Sequence, residues 1–290
     1  MILNMNTICI KTNNTNAINY LLENLKQMQL TDVYFSCHKF KIYNNIIIHY
    51  KGNNSEFFLF TICNILSNLV TNKFENTILK KILTHEYFYF DTIEQKQILK
   101  IAQNNSNENI KSSSRIFDIL YNCFYKYLKN NKKLYLKGFL TFRTQEYINE
   151  LASLIDSCVS RFLIEREYEE FISVLKIYIN SEISTINTVH LIYKQDNPIL
   201  LDQSKKIITP DLDLSNAKFL SDISFSYCDI ILNTLLNLLP SKIYIHLIDN
   251  KIDEFISTLK LIFENRVCIC TDCNICTIYK SQKAQKSSLK

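Results

Sequence analysis

Glycine is nearly missing from this chain: only Gly52 and Gly138 occur among its 290 residues. Phosphate-cradling loops need several glycines at fixed spacing, because the backbone must approach the anion closely or adopt positive φ. No Walker A loop and no dinucleotide fingerprint can be written here, so the commonest ATP, GTP and NAD sites are excluded. Turns must then fall mostly to Asn, Asp and Ser, which tolerate left-handed backbone next best. Long apolar runs are missing too. The longest candidates, residues 43–50 and 230–239, are interrupted by Asn or His and fall short of the roughly 20 residues of a membrane span. The first residues have neither a basic start nor a long apolar stretch followed by small residues, so no signal peptide is expected and the cytoplasm is the expected location.

An excess of either charge is also lacking. There are 33 basic against 28 acidic side chains, a formal +5. A nucleic-acid domain concentrates basic residues on one face, whereas here Lys280, Lys283, Lys286 and Lys290 sit together at the end. Residues 280–290 are read as a disordered basic tail, with a nonspecific tether to nucleic acid or anionic membrane as the functional alternative. Nucleic acid is not an expected partner. No Ser nucleophile elbow and no HExxH motif is present. His38, His49, His85 and His190 lack a nearby nucleophile, base and orienting acid, and structural histidine is their default reading.

What is present suits a folded protein. Hydrophobic residues make up 47% and charged residues 21%, which argues against wholesale disorder. The Ile, Asn and Lys abundance reads as codon bias, and the Asn-rich patches at 13–16 and 104–109 as loops. Apolar periodicity predicts a strand at 7–11, a helix at 17–28 and a hairpin of 33–43 with 46–51 turning at Asn44-Asn45. Helices follow at 57–70, 77–83, 93–102 and 114–128. Thr144 is a plausible N-cap, with Glu146 in the first turn, for a helix burying Ile148, Leu151, Ile155, Cys158 and Phe162. A second helical run covers 171–178.

Beyond Ser181, strands at 188–194 and 199–202 flank an Asp196-Asn197-Pro198 turn, and a helix ends near Leu239 at Pro240. A strand at 242–248, a helix at 253–263 and a strand at 266–270 have the crossover length of a parallel βαβ unit. The fold class expected is α+β, a helical middle between strand-containing ends. The expected regions are 1–104 (α/β and helical), 112–180 (helical), 181–279 (α/β) and the tail 280–290.

One stretch is recognisable. Residues 137–180 run from Gly138, Phe139, Phe142 and Arg143 through Tyr147, Leu151, Ile155 and Phe162. The charged patch Glu165, Arg166, Glu167, Tyr168, Glu169, Glu170 and Phe171 follows. With Val189-His190-Leu191-Ile192, Pro240 through His246, and Phe263 through Val267, this order resembles the sporulation protein YtxC family over roughly the C-terminal half. The resemblance implies a sporulation setting in an endospore-forming bacterium, and it implies no reaction and no catalytic residue.

The local constellation with chemical spacing is Cys268-Ile-Cys270-Thr-Asp-Cys273-Asn-Ile-Cys276. On a strand Cys268 and Cys270 share a face, and Cys273-x-x-Cys276 has knuckle spacing, so four thiolates can converge on zinc or an iron–sulfur cluster. His246 on the preceding strand is a candidate replacement ligand. Reduced terminal thiols and redox or disulfide chemistry are the alternatives. The isolated cysteines, such as Cys63 and Cys158, read as small buried hydrophobes. Glu165, Glu167, Glu169 and Glu170 read as a solvated helix face before an acid–base site, and Arg143 and Arg161 as ion-pair partners before phosphate ligands. Two functions follow: a sporulation-associated cytoplasmic protein acting through an unidentified protein partner, or a thiol- or metal-dependent enzyme or redox protein using the cysteine cluster.

Overall fold

The structure, a computed structural model, describes residues 6–28, 32–108, 110–194, 198–209 and 226–287. The fold is α+β, with a helical middle and strands towards both ends. It divides into two compact units, Met1–Ile164 and Glu165–Lys290. The division lies inside one long helix, away from the breaks expected at 104–112 and 181.

In the first unit, β1 (Asn6–Thr12) is followed by α1 (Thr15–Gln27), β2 (Val33–Lys39) and β3 (Asn44–Tyr50). Then come α2 (Ser55–Lys73), α3 (Glu75–Glu86), α4 (Thr92–Glu108), α5 (Ile110–Asn130), β4 (Lys133–Tyr135), α6 (Leu136–Phe142) and the first part of α7 (Gln145–Ser181). The sheet order is β2-β3-β1-β4, with β4 parallel to β1 and the other pairs antiparallel. Alternation explains the burial: Ile8 and Ile10 lie opposite Ile48 and Ile46, and all four face the core. Asn14 and Asn54 cap α1 and α2 by accepting the amides of Ala17 and Phe57. Leu66, Leu69, Leu120 and Phe124 carry the core outward through the helices.

Several expectations are corrected here. The hairpin turns at 40–43, where Phe40 N–H donates to Tyr43 C=O, because Asn44 and Asn45 are held in the ladder from both sides by β1 and β2. The asparagines at 104–108 continue α4, while residue 109 lies outside the described residues. The charged run at 165–170 does not interrupt α7, since Glu and Arg are good helix formers and no Gly or Pro intervenes. Among the described residues, no single helix is long and apolar enough to cross a membrane. The apolar pair α2 and α3, bent by 52°, contributes Phe58, Leu66 and Leu83 to the core.

The second unit holds the rest of α7, then β5 (Ile186–Tyr193), β6 (Ile199–Leu201), α8 (Tyr227–Leu238), β7 (Pro240–Leu247), α9 (Glu254–Phe263), β8 (Val267–Cys270) and α10 (Asn274–Ser287). The sheet order is β6-β5-β7-β8, with β5, β7 and β8 mutually parallel and β6 antiparallel. The β7-α9-β8 unit is the parallel crossover that the spacing predicts. Its helix is capped by Asp253, which accepts the amide of Ile256. Of the turn expected at Asp196-Asn197-Pro198, residues 196 and 197 lie outside the described residues. Residues 280–287, expected in an unstructured tail, continue α10, and 288–290 lie outside the described residues.

Alternation gives the two faces of this sheet unequal cover. Val189, Leu191, Ile243, Ile245 and Leu247 pack on one face with Leu235, Ile256, Leu259 and Phe263 of α8 and α9. On the other face, among the described residues, Ile192, Leu201 and Ile248 form a smaller buried cluster, against Ile275 and Tyr279 of α10. Left-handed backbone also departs from expectation. Among the described residues it falls on Lys205, Leu239, Asn250 and Glu264 and on neither glycine. Burial of Leu239 beyond α8 offsets a cost of roughly 1 kcal/mol for such a residue.

Candidate metal centre

The thinly covered face carries the chemistry. Register places His190 opposite Tyr244 and His246 opposite Cys270, so the imidazoles and the thiol project from the same side as Ile192 and Ile248. Cys270 is the last residue of β8, and the chain then turns through Thr271 and Asp272 into α10, whose first turn holds Cys276. The hydrogen bond from Thr277 N–H to Cys273 C=O, 2.9 Å, places Cys273 at the N-cap of that helix. A strand end, a two-residue turn and a helix start thus deliver three thiols beside His246.

The donor atoms of His246, Cys270, Cys273 and Cys276 all lie within 4.8 Å of one another. Nδ1 of His246 is 3.4 Å from the sulfurs of both Cys273 and Cys276. Cys276 Sγ lies 3.7 Å from Cys273 Sγ and 3.9 Å from Cys270 Sγ. His246 and Cys276 are buried, Cys270 and Cys273 half-buried. Cys268 shares the face of Cys270, as alternation predicts, yet it is exposed and outside the group. It pairs with Tyr244, two residues back along the strand from the Cys270–His246 pair, a separation of about 6.7 Å. His246 stands in its place.

Behind His246 is a residue whose part in the site was missed at the sequence level. Nε2 of His246 is 3.0 Å from Nδ1 of His190, and the rings stack at 5.3 Å between centroids. Only the parallel register of β5 with β7 brings the two together, and no local spacing signals it.

The electrostatics divide the group. Burial, then the neighbouring His190, pushes His246 down to about 4, so its imidazole is neutral near pH 7. Burial, followed by the positive charge of Lys205, also lowers His190. Burial opposes ionisation of Cys273, but hydrogen bonds from the Cys276 amide, the Cys270 and Cys276 thiols and the Ile275 amide outweigh it and hold this thiol below its ordinary value. Burial and the hydrogen bond to Cys273 push Cys276 up to about 11. The thiol at the helix start thus ionises more readily than an ordinary cysteine, and its partner Cys276 less readily.

The other residues singled out by sequence behave as structure. Arg166 and Glu170 approach to 3.7 Å on an exposed face of α7. His49 Nδ1 is bonded to the Thr7 hydroxyl at 2.9 Å, and His38 to that of Ser36 at 3.2 Å. A cavity of about 690 Å³ in the first unit is lined by Phe74, Ile78, Leu136 and Leu140 beside Lys81 and His85. Among the described residues His85 makes no hydrogen bond to a hydroxyl or carboxylate.

Fold and cluster together define a two-unit α+β protein with a thiol–imidazole donor group at one corner of its second sheet. The YtxC-like family matches residues 60–268, and the chain belongs to that family. It is 22% identical over 204 residues to the uncharacterized protein YtxC of Bacillus subtilis (strain 168), covering 67% of this chain and 70% of that protein. No solved structure matches the chain. The family match stops before Cys270, so Cys270, Cys273 and Cys276 lie beyond it.

Proposed function

We propose that this chain is a sporulation-associated cytoplasmic protein that works through protein contacts, its second unit fastened by a metal held on thiols. The observation that supports this reading best is the closed donor set. His246, Cys270, Cys273 and Cys276 converge within 4.8 Å, and four protein ligands are the hallmark of structural sites, whereas catalytic sites keep a position open for water or substrate. Exposed apolar side chains along the later part of α7, Phe171, Val174 and Ile177, supply contact surface of the kind that partners cover. The sporulation setting rests on the resemblance carried by residues 137–180. Counting heat-resistant spores from a clean deletion tests it: spore titre should fall while vegetative growth stays normal, and a wild-type allele should restore it. Normal titres with slowed growth would argue against the setting.

A second reading is favoured by one observation, the low thiol of Cys273 at the start of α10 with Cys276 Sγ 3.7 Å away. Cys-x-x-Cys at a helix N-terminus is the geometry of disulfide exchange. Reductase turnover by purified protein on a disulfide substrate, lost in Cys273→Ser, would favour it over the structural reading.

A further inference from the structure

We infer that the metal is a single zinc(II) ion held by Nδ1 of His246 and the thiolates of Cys270, Cys273 and Cys276, with His190 as the outer partner that orients His246. This rests on the metal-bearing reading above and goes further, fixing the ion, its ligand set and the residue behind it.

The distances distinguish one ion from a cluster. Ligands about 2.3 Å (sulfur) and 2.0–2.1 Å (nitrogen) from one tetrahedral zinc stand about 3.8 Å apart for a sulfur pair and about 3.5 Å for a sulfur–nitrogen pair. Two of the three sulfur pairs are 3.7 and 3.9 Å, two of the three sulfur–nitrogen pairs are 3.4 Å, and the remaining pairs lie within 4.8 Å. An iron–sulfur cluster spreads its thiolates over separate irons joined by sulfide, and so needs them farther apart than ligands sharing one ion. Thiolate with imidazole in a tetrahedral set is zinc chemistry. Binding releases the protons of the three thiols to solvent and leaves the imidazole neutral, so the site carries −1 with zinc bound.

The second nitrogen of His246 then has a defined task. With Nδ1 on the ion, the proton of the neutral ring resides on Nε2, 3.0 Å from Nδ1 of His190, which accepts it. Such outer hydrogen bonds fix the tautomer and ring orientation of a metal-bound histidine, and losing one typically weakens metal binding 10–100-fold. His190 is a positioning residue and does not touch the ion. Cys268, two residues from the site along β8, is left free.

The test uses the full chain, purified reduced and without chelator, with elemental analysis and titration against zinc and cobalt(II). About one zinc per chain is expected, and cobalt in its place should give the intense visible absorption of tetrahedral thiolate coordination. Cys268→Ser should keep both. Cys276→Ser should lose stoichiometric zinc, and His190→Ala should bind zinc about 10–100-fold more weakly with the cobalt spectrum retained. His246→Cys guards against a variant that fails to fold, since it should keep zinc while its cobalt spectrum shifts towards four sulfurs. Iron with acid-labile sulfide, zinc lost in Cys268→Ser, or unchanged affinity in His190→Ala would each overturn this assignment while leaving a thiol-bound metal in place. Absence of any metal, with none taken up on titration, would overturn both the assignment and the metal-bearing reading above.

Discussion

The two units solve the same problem with different means. In the first, the core runs from Ile8, Ile10, Ile46 and Ile48 of the sheet through α1, α2 and α5 to Leu151 and Ile155 of α7, so apolar burial alone is extensive. In the second, one sheet face has comparable cover from α8 and α9, but among the described residues the other rests on Ile192, Leu201 and Ile248 beneath α10. It is on this poorly covered face that the thiols and His246 lie. Where an element buries too little apolar surface to hold itself in place, a metal or disulfide staple is the usual supplement. On the metal-bearing reading proposed above, the cluster would fasten α10 to this face of the sheet.

On that reading, removing the metal should have the largest effect and fall on one unit. Structural zinc contributes folding free energy directly. Chelation, or Cys273→Ser with Cys276→Ser, should cost the second unit several kcal/mol. Hydrogen exchange read peptide by peptide should show β7, β8 and α10 losing protection while β1 and β3 keep theirs. Equal loss in both units would break the comparison.

The converse change belongs in the first unit. Phe124 is fully buried and stacks on Phe139 at 4.5 Å between centroids. Phe124→Ala should cost about 3–5 kcal/mol in chemical denaturation while leaving metal content unchanged. A smaller effect is expected at Asp253, which caps α9 and also accepts a hydrogen bond from the Tyr193 hydroxyl. Asp253→Ala should lower stability by about 1–2 kcal/mol, with the loss of exchange protection concentrated in α9.

The parts of this contrast differ in how far they can be read without a structure. The β7-α9-β8 crossover is legible because each strand and the helix has its own apolar period and the caps are local. Cys273 and Cys276 are legible as a pair because three residues on a helix start bring them together. That His246 takes the place offered to Cys268 depends on register between strands, which a few hydrogen bonds decide and no local pattern encodes. The same is true of His190, and of β4, three residues with one buried side chain, Leu134, whose pairing with Ile10 closes the first sheet across more than a hundred residues. The hairpin turn was missed because Asn-Asn is a good turn on propensity, whereas pairing on both sides of β3 overrides propensity.

The smallest predicted effect probes how complete the apolar solution of the first unit is. Glu75 lies beside the fully buried Tyr147, whose hydroxyl donates to its carboxylate at 2.8 Å. Burial raises the Glu75 carboxyl above its ordinary value, and the Tyr147 hydrogen bond only partly opposes this. The folded state thus holds this proton more tightly than the unfolded chain. Its contribution to stability is full below the unfolded pKa and is lost as pH rises through the folded one. When ionised, this carboxylate is partly desolvated and accepts one hydrogen bond from Tyr147. Glu75→Gln keeps an acceptor for Tyr147 and removes the charge, so at pH 7 it should match or exceed the wild type by less than about 1 kcal/mol. The fall in stability with rising pH just above the ordinary carboxylate range should flatten, as followed by denaturant midpoints across pH. A clear loss of stability at pH 7 would mean that the ionised carboxylate itself holds α3 against α7, and that the first unit, like the second, depends on a polar fastening inside its core.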